Sequence, residues 1–158
     1  MIVYAGASTI LGDGLRELED PIPTRIGHYY NLPVKTIATS GASNDYLLRN
    51  INNFLENNTP TLLVVTWQTW EREEWLYNNE YYQVSATHPL AVLPKELHTK
   101  YKSWAAEYTE EKRLDLGTKW HKEIFELHQA LNNKGIPHVF YHEMYPFTGE
   151  SQLDWGNS

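Results

Sequence analysis

The stretch TLLVVTW, residues 61–67, constrains this chain more than any other feature. Its four central residues are apolar without a polar break. That is too continuous for a strand with one wet face and short for a helix, and it predicts a strand buried on both faces of a parallel sheet. Three further segments read the same way. MIVYAG is closed by Gly6, VKTIATSG runs from Val34 to Gly41, and IPHVFYHEM follows Gly135. Between them lie segments with helical spacing. DPIPTRIGHYYNL offers Asp20 as N-cap, Pro21 at the first helical position, and Ile22, Ile26, Tyr29 and Tyr30 on one face. SNDYLLRNINNFLENN carries Leu47, Leu48, Ile51, Phe54 and Leu55, with Ser43 or Asn44 as the cap.

A longer helical pattern begins at Tyr101, Trp104, Ala105 and Tyr108, breaks near Gly117, and resumes through Trp120, Ile124, Leu127, His128 and Leu131 to Gly135 as C-cap. Residues 70–99 have no firm period, contain Pro89 and Pro94, and are expected to form an irregular, aromatic-rich insertion. Strand, helix, strand, helix, strand, long helical connection, strand is the order of a parallel α/β sandwich with helices on both faces. The 158 residues are read as a single domain, 1–158.

Composition narrows the chemistry. The chain has no cysteine, which excludes thiol catalysis, zinc–thiolate sites and disulfides. A net charge of −7 argues against binding a nucleic-acid backbone. No apolar run approaches the roughly 20 residues needed to cross a bilayer, and the N-terminus lacks the pattern of a signal peptide. The expected setting is the cytoplasm, with no membrane and no nucleic-acid partner. Of the six Trp and eleven Tyr, many lie in the middle third, and they suit either core packing or a ligand-facing surface.

In a parallel sheet the loops after the strand C-termini carry the chemistry. Here they hold Gly6 to Gly14, Gly41 to Asn44, Thr66 to Arg72, and Tyr141 to Tyr145. The first places Ser8 in a small-residue turn. A serine acting on an acyl group needs a base and donors aimed at the developing oxyanion. The Gly41 N–H, the Asn44 amide and the Gln68 amide are the candidate donors. Asn44 and Asp45 equally suit the capping of the helix that follows, and the run EREE, 71–74, suits a solvated face in which Arg72 could bind an anionic group.

GAS at 6–8, SGASND at 40–45 and VVTWQTWERE at 64–73 together resemble the successive blocks of the SGNH, or GDSL-like, hydrolases, in particular the small ones encoded by bacteriophages. The resemblance covers roughly residues 1–75. It implies a flavodoxin-like three-layer α/β/α sandwich with the first strand central, Ser8 as nucleophile, and the Ser8 and Gly41 backbone amides as oxyanion donors with Asn44 or Gln68. Trp67, Arg72 and His142 become candidate substrate contacts. The implied substrate is a small-molecule or carbohydrate ester, with no cofactor and no metal, in the host cytoplasm if the chain is phage-encoded.

Three departures modify the expectation. Ala7 stands where the family usually has Asp, Gln68 where it has Asn, and no Asp is followed three residues later by His. The sheet is accordingly expected to lack the last strand and the closing helix, and hydrolysis to be weak. His142 is the internal candidate for a base. The other six histidines have no spacing that suggests a metal site. A noncatalytic ligand- or protein-binding relative is the alternative, and the sheet edge beyond the fourth strand suggests a homodimer.

Overall fold

The computed structural model describes residues 1–15, 20–86, 90–107 and 109–143. Strand β1 (Ile2–Gly6) is buried at every residue and leads into a one-turn helix, α1 (Ser8–Leu11), which Gly12 closes with φ +88°. Helix α2 (Ile22–Tyr30) follows. It lies directly on β2 (Val34–Ala38), because a Cβ at Gly27 would come within 2.8 Å of Val34 Cγ2. Helix α3 (Asn44–Leu55) starts at Ser43, whose hydroxyl accepts the Tyr46 N–H at 3.2 Å. Strand β3 (Leu62–Trp67) is buried from Leu63 onward.

Strands β4 (Glu73–Tyr77) and β5 (Glu80–Val84) then form an antiparallel hairpin. Its two-residue turn, Asn78–Asn79, has φ values of 49° and 62°, the left-handed pair that suits the twist of a tight hairpin. Short 3-10 turns lead to α4 (His98–Ala106), α5 (Glu110–Asn133) and β6 (His138–His142).

The main sheet has the order β2-β1-β3-β6 and every pair is parallel. One face packs Val3, Ala5, Leu63, Val65 and Trp67 against Leu47 and Ile51 of α3 and Trp120, Ile124, Leu127 and Leu131 of α5. The other sets Ile2, Tyr4 and Val64 against Ile10 of α1 and Ile26 of α2. The fold is thus α/β, a parallel four-stranded sheet flanked by helices. Among the described residues, no helix is long and apolar enough to cross a membrane.

Several local expectations are revised. Residues 70–99 are not irregular: 73–84 form the hairpin, and Trp75 and Val84 join Leu93, Leu97, Tyr101 and Trp104 in a second small core. The long helical segment does not break at Gly117. Helix α5 runs through it, and the chain turns earlier, where Thr109 caps α5 by accepting the Lys112 N–H at 3.2 Å. Gly135 does follow the helix end as expected, with φ +64°. Pro21, not Asp20, is the α2 N-cap, and Ile22, Tyr29 and Tyr30 are exposed, since Pro23 and Gly27 make the buried contact. The expectations for Tyr108 and for the region after Glu143 fall outside the described residues.

The hairpin is fastened to α3 by charge. Arg49 donates from Nε and Nη2 to both carboxylate oxygens of Glu74, at 2.7 and 2.8 Å, and its guanidinium lies 3.9 Å from the Tyr81 ring centre. The Glu74 side chain is only 4% exposed and also accepts from Gln83 at 2.8 Å. Arg49→Ala leaves that carboxylate buried with one donor, and is expected to cost about 2–4 kcal/mol in chemical denaturation. A loss below about 0.5 kcal/mol, the usual range for a surface change, would show that the pair does not hold the hairpin.

Candidate active site

The strand order reverses direction at β1: the chain passes from β1 to β2 on one side, then crosses to β3 on the other. A crevice forms at such a switch point, beyond the strand C-termini. Ser8 stands at the end of β1 as the first residue of α1, half-buried. Its turn is tight. A Cβ on Gly6 would lie 2.4 Å from Ile10 Cγ1 and 3.3 Å from Thr66 Cβ, so only glycine lets α1 fold back against the strand ends. The Ser8 carbonyl accepts the Gly12 and Asp13 N–H groups, both at 2.9 Å, which fixes the backbone on the far side of the serine.

The loop after β2 is tied to the first loop, because the Ser40 hydroxyl donates to the Asp13 carboxylate. Gly41 adopts φ +70°, and among the described residues a Cβ there would meet nothing within 4 Å, so its open side leaves room for a ligand. Among the described residues, neither the Ser8 N–H nor the Gly41 N–H has a backbone acceptor. Both are placed in turns, where a free N–H can serve an anion.

Asn44 and Gln68 meet, but not as a pair of free donors. Asn44 Oδ1 accepts the Gln68 N–H at 2.8 Å, and Asn44 Nδ2 donates to the Gln68 carbonyl at 3.0 Å. The side-chain amide thereby takes the place of a neighbouring strand for a backbone that has run past the sheet. Asn44 is 0% and Gln68 4% exposed. Gln68 Nε2 donates to the Thr66 carbonyl at 3.1 Å and to Glu143 Oε2 at 2.6 Å, while its Oε1 accepts from Arg72 Nη1 at 2.9 Å. With an acceptor for each amide proton and a donor for the oxygen, the amide has one orientation that satisfies everything. An oxyanion contact from Gln68 would require one of these bonds to break. Arg72 Nη1 also donates to the Ala42 carbonyl at 3.3 Å, joining the second and third loops.

One expected substrate contact lies elsewhere, and a second stands further along the sheet edge. Trp67 is 1% exposed and belongs to the core, edge-on to Phe140 at 5.4 Å. The strand period places it on the α5 side of the sheet, with Val65 and Leu63, and this is why it cannot line the crevice. His142 pairs in register with Trp67 on β6, two strands from β1.

His142 is exposed as a residue, yet the protein around it disfavours the imidazolium. Its pKa is lowered, first by desolvation and then by the charge of His121 on α5. Desolvation also lowers the pKa of His121. Asp45, in the first turn of α3, is shifted up: desolvation outweighs the opposing effect of Lys119, whose Nζ lies 3.7 Å away.

Glu143, which the sequence reading did not single out, is the residue that brings β6 into the network. Its signal was its place immediately after a strand end, and its backbone N–H continues the ladder to the Trp67 carbonyl at 3.3 Å. A second pairing the sequence did not reveal is His128 with His138, whose Nδ1 and Nε2 lie 2.7 Å apart. Among the described residues, no group of three or more His, Cys, Asp or Glu side chains is placed to hold a metal ion. No protein-family model matches the chain, and no curated protein or solved structure matches it significantly.

Two measurements test this geometry. Asn44→Ala removes both bonds to the Gln68 backbone inside a dry region and is expected to cost about 2–4 kcal/mol by urea denaturation; an unchanged midpoint would show that the loops hold without it. Below the ordinary imidazole pKa of 6.5 the unfolded chain binds protons that folded His121 and His142 resist. Stability should therefore be level above about pH 7 and decline from pH 6.5 downward, and His142→Gln should reduce the slope. A wild-type profile flat between pH 7 and 5.5 contradicts the lowered pKa values.

Proposed function

We propose that the chain is an SGNH-like acyl-ester hydrolase domain with the flavodoxin-like three-layer arrangement, and that Ser8 is its nucleophile. The observation that carries this reading is the position of Ser8. It is held by a glycine-only turn at the C-terminal end of the strand where the sheet order reverses, beside a Gly41 turn whose N–H has no backbone acceptor among the described residues. The resemblance of the first three loop segments to SGNH hydrolases adds the roles.

Ser8 Oγ adds to the ester carbonyl carbon and loses its proton to water. The Ser8 and Gly41 N–H groups stabilise the oxyanion. The ester C–O bond then breaks, the alcohol leaves with a proton from water, and a second water releases the acid and restores the serine. Removal of the base from a complete triad costs several powers of ten in rate, so slow turnover is expected of this chain.

Gln68 supports this reading as a positioning residue, since it aligns the loops of β3 and β6 and anchors Arg72. A small-molecule or carbohydrate ester is the proposed substrate, and the cytoplasm, the host's if the chain is phage-encoded, the proposed setting. The second reading, a noncatalytic binding relative, is favoured by the Gln68 amide, whose donors are already spent on Thr66 and Glu143. The two part on one assay. Wild type should hydrolyse 4-nitrophenyl acetate above the buffer rate, and Ser8→Ala should return it to that rate. Equal rates for the two proteins would remove Ser8 as nucleophile and leave the binding reading.

A further inference from the structure

Arg72 is a cation held by neutral groups. Its Nη1 donates to the Ala42 carbonyl and to Gln68 Oε1, and among the described residues no carboxylate lies within ion-pair distance of it. Arg49 and Arg113, by contrast, are paired with Glu74 and Glu110. A guanidinium has five N–H donors in a planar fork, and these two contacts use one nitrogen. The Glu143 carboxylate accepts from the nitrogen of the same Gln68 amide whose oxygen holds Arg72, so the amide stands between the two charges and no direct contact pairs them.

The place of this cation is informative. Ala42 follows Gly41 directly, so the guanidinium lies against the turn that presents the Gly41 N–H, and the open side of Gly41 leaves room for a ligand. The chain as a whole is acidic, with a net charge of −7, so its general field repels anions. Attraction for an anionic ligand has to come from a local, pre-positioned donor of this kind.

We infer that the ester taken at this site carries an oxyanion group, a carboxylate or a phosphate, that seats on the free donors of Arg72. The inference rests on the reading of Ser8 as nucleophile for the ester, but the anion site itself does not. The anion forms charge-assisted bonds to the guanidinium, while Gln68 and the Ala42 carbonyl keep the fork from rotating away.

The test compares two esters on the full chain: 4-nitrophenyl acetate and the 4-nitrophenyl monoester of succinic acid, at low and at high salt. In parallel, succinate, inorganic phosphate and uncharged succinamide are titrated by calorimetry or by chemical-shift changes. The expected result is an anionic-to-neutral ratio in kcat/KM of about tenfold to a hundredfold, the factor that corresponds to a charge-assisted hydrogen bond. The ratio should fall with salt, shrink towards unity in Arg72→Gln, and be partly retained in Arg72→Lys. Binding of succinate but not succinamide supports a carboxylate ligand; binding of phosphate alone assigns the site to phosphoryl groups.

Equal Ser8-dependent rates on both esters, with neither anion bound, overturn the anion site and leave the nucleophile in place. Conversely, Arg72-dependent anion binding without Ser8-dependent hydrolysis overturns the nucleophile and leaves the anion site. Should Arg72→Gln fail to fold, the charged against uncharged titrations and their salt dependence on the wild-type chain decide the matter.

Discussion

Two hydrogen bonds between the Asn44 side chain and the Gln68 backbone hold the C-terminal edge of the sheet in register with the first turn of α3. The polar network at that edge depends on them. The chain leaves β3 in the interior, where a backbone N–H and carbonyl cannot be left to water, and a side-chain amide is a neutral group with a donor and an acceptor spaced to satisfy both. With its backbone fixed, Gln68 can place its own amide between Glu143 and Arg72. One buried residue then sets the relative positions of the loops after β2, β3 and β6. Ser8 and Gly41 are held by different means, a glycine-only turn and a left-handed turn, so the candidate catalytic groups do not rely on the polar network for their local shape.

The hairpin and α4 form a second level of organisation on this base. Their small aromatic core is arranged around a carboxylate: Glu73 accepts from the indole N–H of Trp75 at 2.9 Å and from that of Trp104 at 2.8 Å. The two rings meet edge to face at 5.8 Å, and Lys100 lies 4.0 Å from the centre of the Trp75 ring. The next residue, Glu74, faces the opposite way and joins α3 through Arg49. Alternation along one short strand thus sends successive glutamates to two different partners. Gln83 completes the attachment, with its Oε1 accepting the Ser43 N–H at 2.8 Å, so the hairpin also helps to cap α3 next to Gly41.

Much of the frame was legible because burial leaves a one-dimensional trace. The unbroken apolar run of β3, the glycine that ends β1, the serine cap of α3 and the 3.6-residue spacing of Trp120, Ile124, Leu127 and Leu131 are each local in the chain. The hairpin was missed for a definite reason. Its turn uses Asn–Asn in place of the stronger Asn–Gly signal, and its charged residues are buried through partners distant in the chain. Gly117 misled in the opposite direction, since a glycine inside a long, well-packed helix costs only about 1 kcal/mol and tertiary contacts override it.

The candidate site divides along the same line. Ser8 and Gly41 could be named from the sequence, because a small residue after a strand and a glycine in a turn are local requirements. The same holds for the alternation of strands and helices, which by itself determined that this chain would build a parallel sheet with its loops gathered at one end. The tertiary structure alone decided that Trp67 is core, that His142 lies two strands from β1, and that Gln68 spends its amide on Thr66, Glu143 and Arg72. Those outcomes depend on strand order and on which polar groups meet once the sheet is assembled, and neither quantity is written in the spacing of residues along the chain.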